Sequence, residues 1–128
     1  RLQERLAAWR AQMAPYQDRE VIGYHNEWPY LMQFAGVRME QLLEPKPGIP
    51  PTPKHVEWIA QYVRDHHVSA VVQATYAPKE TAAAVARRTG IRVALLCQNV
   101  GELPACSDYL AMGDYNVGQL AAVMGAAP

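Results

Sequence analysis

Ser69-Ala70-Val71-Val72-Gln73, then Pro78 to Thr89, then Gly90 followed by Ile91-Arg92-Val93-Ala94-Leu95-Leu96, is the stretch that decides the fold. Val71 and Val72 are β-branched and lie in a short apolar run, which marks a buried strand. Pro78 opens a helix, because a first-turn proline has no N–H to lose. Gly90 closes it, since glycine takes the left-handed turn that ends a helix. Ile91 to Leu96 is apolar enough to read as a second strand buried on both faces. Strand, helix and strand of these lengths make one parallel crossover unit.

Moving towards the N-terminus, the same unit recurs. Glu20-Val21-Ile22-Gly23-Tyr24 reads as the first strand. Asn26 is the expected cap of the next helix, with Glu27 near its positive end. Pro29 falls in that helix's first turn, and Gly36 stops it. Val37 to Glu44 reads as the second strand. Glu44-Pro45-Lys46-Pro47-Gly48-Ile49-Pro50-Pro51-Thr52-Pro53 follows, with five prolines in ten residues. It is neither helix nor central strand, because proline lacks the N–H that both require. Within it, Pro47-Gly48-Ile49-Pro50 matches P-x-x-P in form and reads as a rigid connector rather than an SH3 ligand. Thr52 caps a helix with Pro53 at its first position. That helix buries Val56, Ile59, Ala60 and Val63 and ends near His66. At the start of the chain, Leu2, Leu6, Trp9 and Met13 share one helical face, and this helix ends near Ala14-Pro15. At the far end, Ser107 is the expected cap of a last helix reaching about Met124.

A helix followed by four strand–helix units predicts an α/β fold. The expected form is a Rossmann-like three-layer sandwich, with a four-stranded parallel sheet, right-handed crossovers and helices on both faces. The 128 residues suit one domain, and 50% are hydrophobic, enough for a single core. Lys plus Arg number 12 and Asp plus Glu number 12. Zero net charge argues against nucleic acid as a partner, because phosphate binding needs a basic excess. No apolar run approaches the roughly 18–20 residues that span a membrane. The chain opens in mid-helix at Arg1-Leu2-Gln3-Glu4-Arg5-Leu6, so a piece of a longer protein is expected. Cys97 and Cys106 are too few for a disulfide scaffold and form no C-x-x-C motif. Unpaired thiols are expected, although the loop with Gly101 and Pro104 leaves a bridge geometrically open.

In parallel sheets ligands bind at the carboxyl ends of the strands. Those ends carry Tyr24-His25, Glu44, Gln73-Ala74-Thr75-Tyr76 and Cys97-Gln98-Asn99. No G-x-G-x-x-G follows the first strand and no P-loop exists. No Asp ends the first or third strand, as a phosphorylated receiver would need. Nothing places a base beside Ser107 for a hydrolase. His25 is the informative residue, because neutral imidazole ligates zinc and other transition metals. Tyr24, Trp28 and Tyr30 flank it and are expected to wall a dry pocket. A helix N-terminus nearby disfavours an imidazolium. One histidine is not a metal site, since zinc takes about four ligands, and a hydrogen-bonded structural histidine is the alternative from spacing alone. His55 reads as a first-turn capping or solvated group, and His66 and His67 as a solvated helix end. Glu44 reads as a partner of the proline loop. Gln98 and Asn99 are neutral amides and poor transition-metal ligands.

Tyr24-His25-Asn26-Glu27-Trp28-Pro29-Tyr30 resembles the Y-H-x-x-W-x-Y segment of the metal-binding proteins of ABC transporters. These form the ZnuA/TroA-like, cluster A-I family of zinc and manganese carriers. Glu44 to His55 resembles a hallmark stretch of one branch. Asp108-Tyr109-Leu110 with Tyr115-Asn116-Val117 resembles the family's last helix. The likeness covers nearly the whole chain. It implies two α/β lobes joined by a long helix, with residues 1–15 the end of that linker helix and 16–128 the C-terminal metal-binding lobe. It implies a metal held between the lobes by two histidines of the N-terminal lobe and by His25. Many members add an Asp after the last strand, where this chain has Cys97-Gln98-Asn99-Val100-Gly101; a water or a group of the other lobe would then stand in. Members often have Glu-Pro after the third strand, where Gln73-Ala74 stands here as non-ligating variation.

The resemblance implies capture of Zn2+, or alternatively Mn2+, and its delivery to the membrane permease of an ABC transporter. It implies a monomer, not an enzyme, in the periplasm or anchored outside the membrane as a lipoprotein. Two other readings remain at this stage. One is a free-standing α/β module for another small ligand. The other is an enzyme with His25 as general base, which would need a second titratable group beside His25, and the sequence offers no convincing one.

Overall fold

The computed structural model describes residues 1–46 and 48–125. The P-x-x-P match begins at Pro47, which lies outside the described residues, as do residues 126–128 of the segment expected to form the lobe. The elements run α1 (Leu2–Met13), β1 (Glu20–Gly23), α2 (Pro29–Ala35), β2 (Arg38–Leu42), α3 (Pro53–His66), β3 (Ala70–Ala74), α4 (Glu80–Thr89), β4 (Arg92–Leu96) and α5 (Tyr109–Gly125). Short 3-10 turns follow α1 and precede α5. The strands form one four-stranded sheet in the order β2-β1-β3-β4. All three pairings are parallel, as the alternation of strands and helices predicts.

Side-chain alternation sends the two faces of the sheet into two cores. Val21, Ala70, Val72, Ala94 and Leu96 meet Met13, Met32, Ala35, Val117 and Leu120 from α1, α2 and α5. Ile22 and Val71 meet Ile59 and Val63 of α3 and Ala82 and Val85 of α4 on the opposite face. The result is three layers. The crossover through α2 moves one way across the sheet and those through α3 and α4 move the other way. Because they run on opposite faces, all keep one hand. The order therefore reverses between β1 and β3, and the crevice of this fold opens at their carboxyl ends.

Local chemistry accounts for most boundaries. Thr52 Oγ1 accepts the His55 N–H at 3.1 Å, and Pro53 starts α3. Gly36 takes φ 74° to end α2, a left-handed conformation that costs glycine little. Gly113 on α5 lies under the ring of Trp9, where any Cβ would collide with the indole. Trp9 Nε1 also donates to Asp114 Oδ1 at 2.8 Å, and Arg5 pairs with the same carboxylate. These contacts lock α1 to α5.

Three expectations need correction. Asn26 caps nothing: Trp28 holds the N-cap position of α2 at φ 56°, ψ 40°, with no side-chain cap bond. Its indole packs against both cores, and that burial outweighs the capping that Asn26 would give. Asp108, not Ser107, caps α5, with Oδ1 accepting the Ala111 N–H at 2.8 Å. β4 is not buried on both faces. It is one of the two edge strands, pairing among the described residues with β3 alone; Arg92 is exposed and Val93 is half-buried.

Candidate metal site

The reversal point between β1 and β3 gathers side chains from four loops. His25 leaves β1 towards the β2 side. Its Nδ1 lies 3.0 Å from Glu44 Oε1, just past β2. A carboxylate only accepts, so Nδ1 carries a proton, and in the neutral ring the lone pair lies on Nε2. The edge of Tyr24 packs on the imidazole, with ring centroids 4.7 Å apart at 74°. The His25 side chain is 36% exposed and that of Glu44 only 16%. The carboxylate is therefore the covered anchor and the imidazole the reachable group. Glu44 Oε1 also accepts the Gly48 N–H at 3.4 Å, the expected tie to the proline loop. The His25–Glu44 contact corrects the expectation that no titratable group stands beside His25.

Towards β3 and β4 stands a second cluster. Gln98 Nε2 donates to Glu27 Oε2, and the Tyr76 hydroxyl reaches that oxygen at 3.5 Å and also the Gln98 amide oxygen. Glu27 Oε1 is buried and has no hydrogen-bond partner among the described residues. Burial pushes the Glu27 carboxyl above its ordinary value; His25, Gln98 and Tyr76 pull the other way, and the charge of Glu102 adds to the rise. Glu102 differs. Its Oε1 accepts the backbone N–H groups of Gln98 at 3.2 Å and Asn99 at 2.9 Å, and Asn99 Nδ2 at 3.1 Å. Its Oε2 accepts from Gln98 N at 3.2 Å and from the Thr75 hydroxyl at 3.0 Å. Burial works to raise its pKa, but these bonds together hold it below the usual carboxylate value.

The other sequence candidates fall outside this crevice. His55 is neither a free nor a solvated ring: its Nε2–H donates to the Leu42 carbonyl at 3.0 Å and it stacks near Trp58. His66 and His67 are exposed at the end of α3, with His66 stacked on Tyr62. Tyr30 is 83% exposed and walls no pocket, because the short α2 turns it outwards. Gln73 is buried, and its Nε2 approaches the carbonyls of Ala77 and Pro78 at 3.4 Å. Cys97 and Cys106 are both buried as free thiols. Burial and the neighbouring Cys106 thiol push Cys97 up to about 12. Sequence reasoning gave Glu27 only a place near a helix end; its bond to a residue 71 positions away leaves no local signal.

Among the described residues, no three His, Cys, Asp or Glu side chains stand close enough to hold a metal ion together. This surface therefore offers a free imidazole nitrogen and nearby carboxylates, but not a complete cation cage. A cleft of about 420 Å³ lies at the opposite end of the sheet, lined by Arg19, Arg64, His67 and Ser69. Two guanidinium groups make it a poor cation site, so the carboxyl-end crevice is the candidate. Among the described residues, no helix is long and apolar enough to cross a membrane.

Comparison with known proteins places these observations in a group. Residues 1–123 match the model of the family described as zinc-uptake complex component A, periplasmic. A structure of the solute-binding protein FpvC from Pseudomonas aeruginosa in complex with Ni2+ superposes with a TM-score of 0.77 at 19% identity, covering 97% of this chain and 47% of that one. A crystal structure of ZnuA gives 0.75 at 17% identity, covering 95% and 43%. The laminin-binding protein Lmb of Streptococcus agalactiae, described as a bifunctional protein with adhesin and metal transporting activity, gives 0.72 at 17%, covering 95% and 48%. At such identities the likeness shows the fold, and the chain spans just under half the length of these structures. No curated protein matches by sequence.

Proposed function

This chain belongs to the family of periplasmic zinc-uptake complex component A, and from that premise we propose that it is the C-terminal lobe of a metal-capturing, solute-binding component of an ABC transporter. Residues 1–15 are the end of the helix joining the lobes, and 16–128 are the lobe itself. The cargo is Zn2+, with Mn2+ the alternative. FpvC with Mn2+ and a Zn(II)-bound AdcAII variant of Streptococcus pneumoniae are folded alike, which supports a divalent cation as cargo.

The observation that carries the proposal is the His25–Glu44 pair. A carboxylate on Nδ1–H fixes the tautomer, aims the ring and raises the basicity of Nε2, the usual preparation of a metal-binding histidine. His25 then supplies one ligand of about four, and the missing lobe supplies others across the crevice. The metal undergoes no chemistry: it is held, carried outside the membrane and handed to a permease. The general-base reading needs a substrate group at Nε2 as well as the dyad, and the family makes transport the better account.

Zinc titrated calorimetrically into the complete two-lobed protein should bind one to one, with a sharp loss in His25→Ala. Wild-type affinity in that variant would refute the ligand assignment. Tight one-to-one binding by residues 1–128 alone would refute the two-lobe site.

A further inference from the structure

Three carboxylates surround the crevice, and their hydrogen bonds tell them apart. Glu44 is committed to His25 Nδ1 and to the Gly48 N–H. Glu102 has both oxygens occupied by N–H and O–H donors and serves to hold the loop after β4. Glu27 is held by one oxygen only. Its Oε2 takes the Gln98 amide and faces the Tyr76 hydroxyl, while Oε1 is buried with no donor among the described residues. Buried polar oxygens in native proteins are completed by a donor, an ordered water or an ion, and Glu27 stands at the crevice where a cation would arrive.

The backbone brings Glu27 to the same place as His25. The Glu27 N–H donates to the His25 carbonyl at 2.9 Å, closing a tight turn at the end of β1. Trp28 follows in the left-handed conformation at φ 56°, one that a bulky residue adopts only when its surroundings enforce it. The turn sends His25 towards β2 and Glu27 towards β3 and β4, so the two side chains flank the reversal point.

We propose that Glu27 is a second metal ligand of this lobe, binding the cation through Oε1 while Gln98 and Tyr76 hold Oε2. This inference rests on the function proposed above. It gives the lobe one nitrogen and one anionic oxygen, and so fewer than the three side chains of a self-sufficient site. An anionic oxygen also serves manganese, which favours carboxylate over nitrogen more than zinc does.

The test uses the complete protein and zinc alone, by calorimetry, with wild type, His25→Ala, Glu27→Gln and Glu27→Ala. Glu27→Gln keeps the shape and an acceptor for the Gln98 amide but removes the charge. It should weaken zinc by at least about tenfold, because losing a ligand costs no less than losing a carboxylate that merely supports one. Thermal unfolding of the metal-free variant should show no loss of stability relative to wild type, which separates ligand loss from misfolding. A wild type that binds zinc, a His25→Ala variant that does not and a Glu27→Gln variant with wild-type affinity would overturn this inference alone, whatever Glu27→Ala does. A wild type that takes no zinc would overturn both this inference and the function on which it rests.

Discussion

Glu20 and Glu27 stand at opposite ends of the same strand, and the protein treats them in opposite ways. Glu20 opens β1 and is 3% exposed. Tyr62 donates to its Oε2 at 2.5 Å, and Arg38 lies 3.6 Å from its Oε1. Nearby, Arg19 donates to the Ser69 hydroxyl at 3.3 Å. Each oxygen of Glu20 has a partner, and its charge is balanced within the lobe. Glu27, past the other end and two positions after His25, keeps an oxygen with no donor among the described residues. The amino end of the sheet is closed electrostatically and belongs to folding. The carboxyl end, where the proposed metal site lies, has no such balance at Glu27 Oε1 among the described residues.

The largest effect that could break this contrast is expected at His25. In the complete protein, His25→Ala should lower zinc affinity by roughly 100-fold or more, since losing one of about four ligands costs at least as much as losing a group that supports a ligand. Its unfolding free energy should change by less than about 0.5 kcal/mol, because the ring is partly exposed and does little core packing. Isothermal calorimetry and urea unfolding of the same samples read both quantities. A stability loss as large as the affinity loss would make His25 a structural residue.

The mirror-image variant is Tyr62→Phe at the closed end. It removes a hydrogen bond to a buried carboxylate, at a cost of about 2 kcal/mol. Urea unfolding should show that loss, while zinc affinity stays at the wild-type value. The Tyr62 phenol is itself pushed up to about 12, mainly by its bond to Glu20 and then by burial. Absorbance titration near 295 nm should therefore lose its latest tyrosine step in the same variant.

A smaller effect separates two carboxylates at the open end by the sign of their pH response. Glu102 has a lowered pKa, so its contribution to stability is complete above its unfolded value and is lost as pH falls through the lower folded value. Glu27 has a raised pKa, so its contribution is complete below the unfolded value and is lost as pH rises through the higher folded value. In metal-free protein, Glu102→Gln should flatten the acid-side decline in stability. Glu27→Gln should flatten the decline on the higher-pH side of the carboxylate range. Unfolding curves collected from pH 3 to 7 would reveal either sign reversed.

The smallest effect is expected at His66 and His67. Both are exposed at the end of α3, beside the amino end of the sheet and away from the carboxyl ends of its strands. Their alanine variants should leave zinc affinity unchanged in the same calorimetry. A large loss in either would move the metal away from the β1–β3 crevice.

The sheet was legible in the sequence because its signals are local. Val71-Val72, Ile91 to Leu96, Thr52-Pro53, Gly36 and Gly90 mark strands, caps and stops within a few residues of where they act. The misplaced caps at Asn26 and Ser107 are local readings overridden by packing in one case and by a neighbouring, charged competitor in the other. The over-buried reading of β4 came from composition, which does not reveal which strand forms the edge. His25 was legible because a strand end fixes where it stands. Its partner Glu44 lies 19 positions away, and the Glu27–Gln98 bond spans 71. Such pairings depend on the order in which the strands assemble, and no local pattern carries them.

The central claim is that His25 offers Nε2 to the metal while Glu44 holds the proton on Nδ1. Long-range proton–nitrogen NMR of histidine-labelled complete protein, with and without zinc, observes both nitrogens directly, and His25→Ala identifies the resonances. The account predicts a protonated Nδ1 that persists in both spectra and an Nε2 resonance that shifts when zinc is added. An Nε2 resonance unmoved by saturating zinc, or zinc-induced loss of the Nδ1 proton, would contradict it.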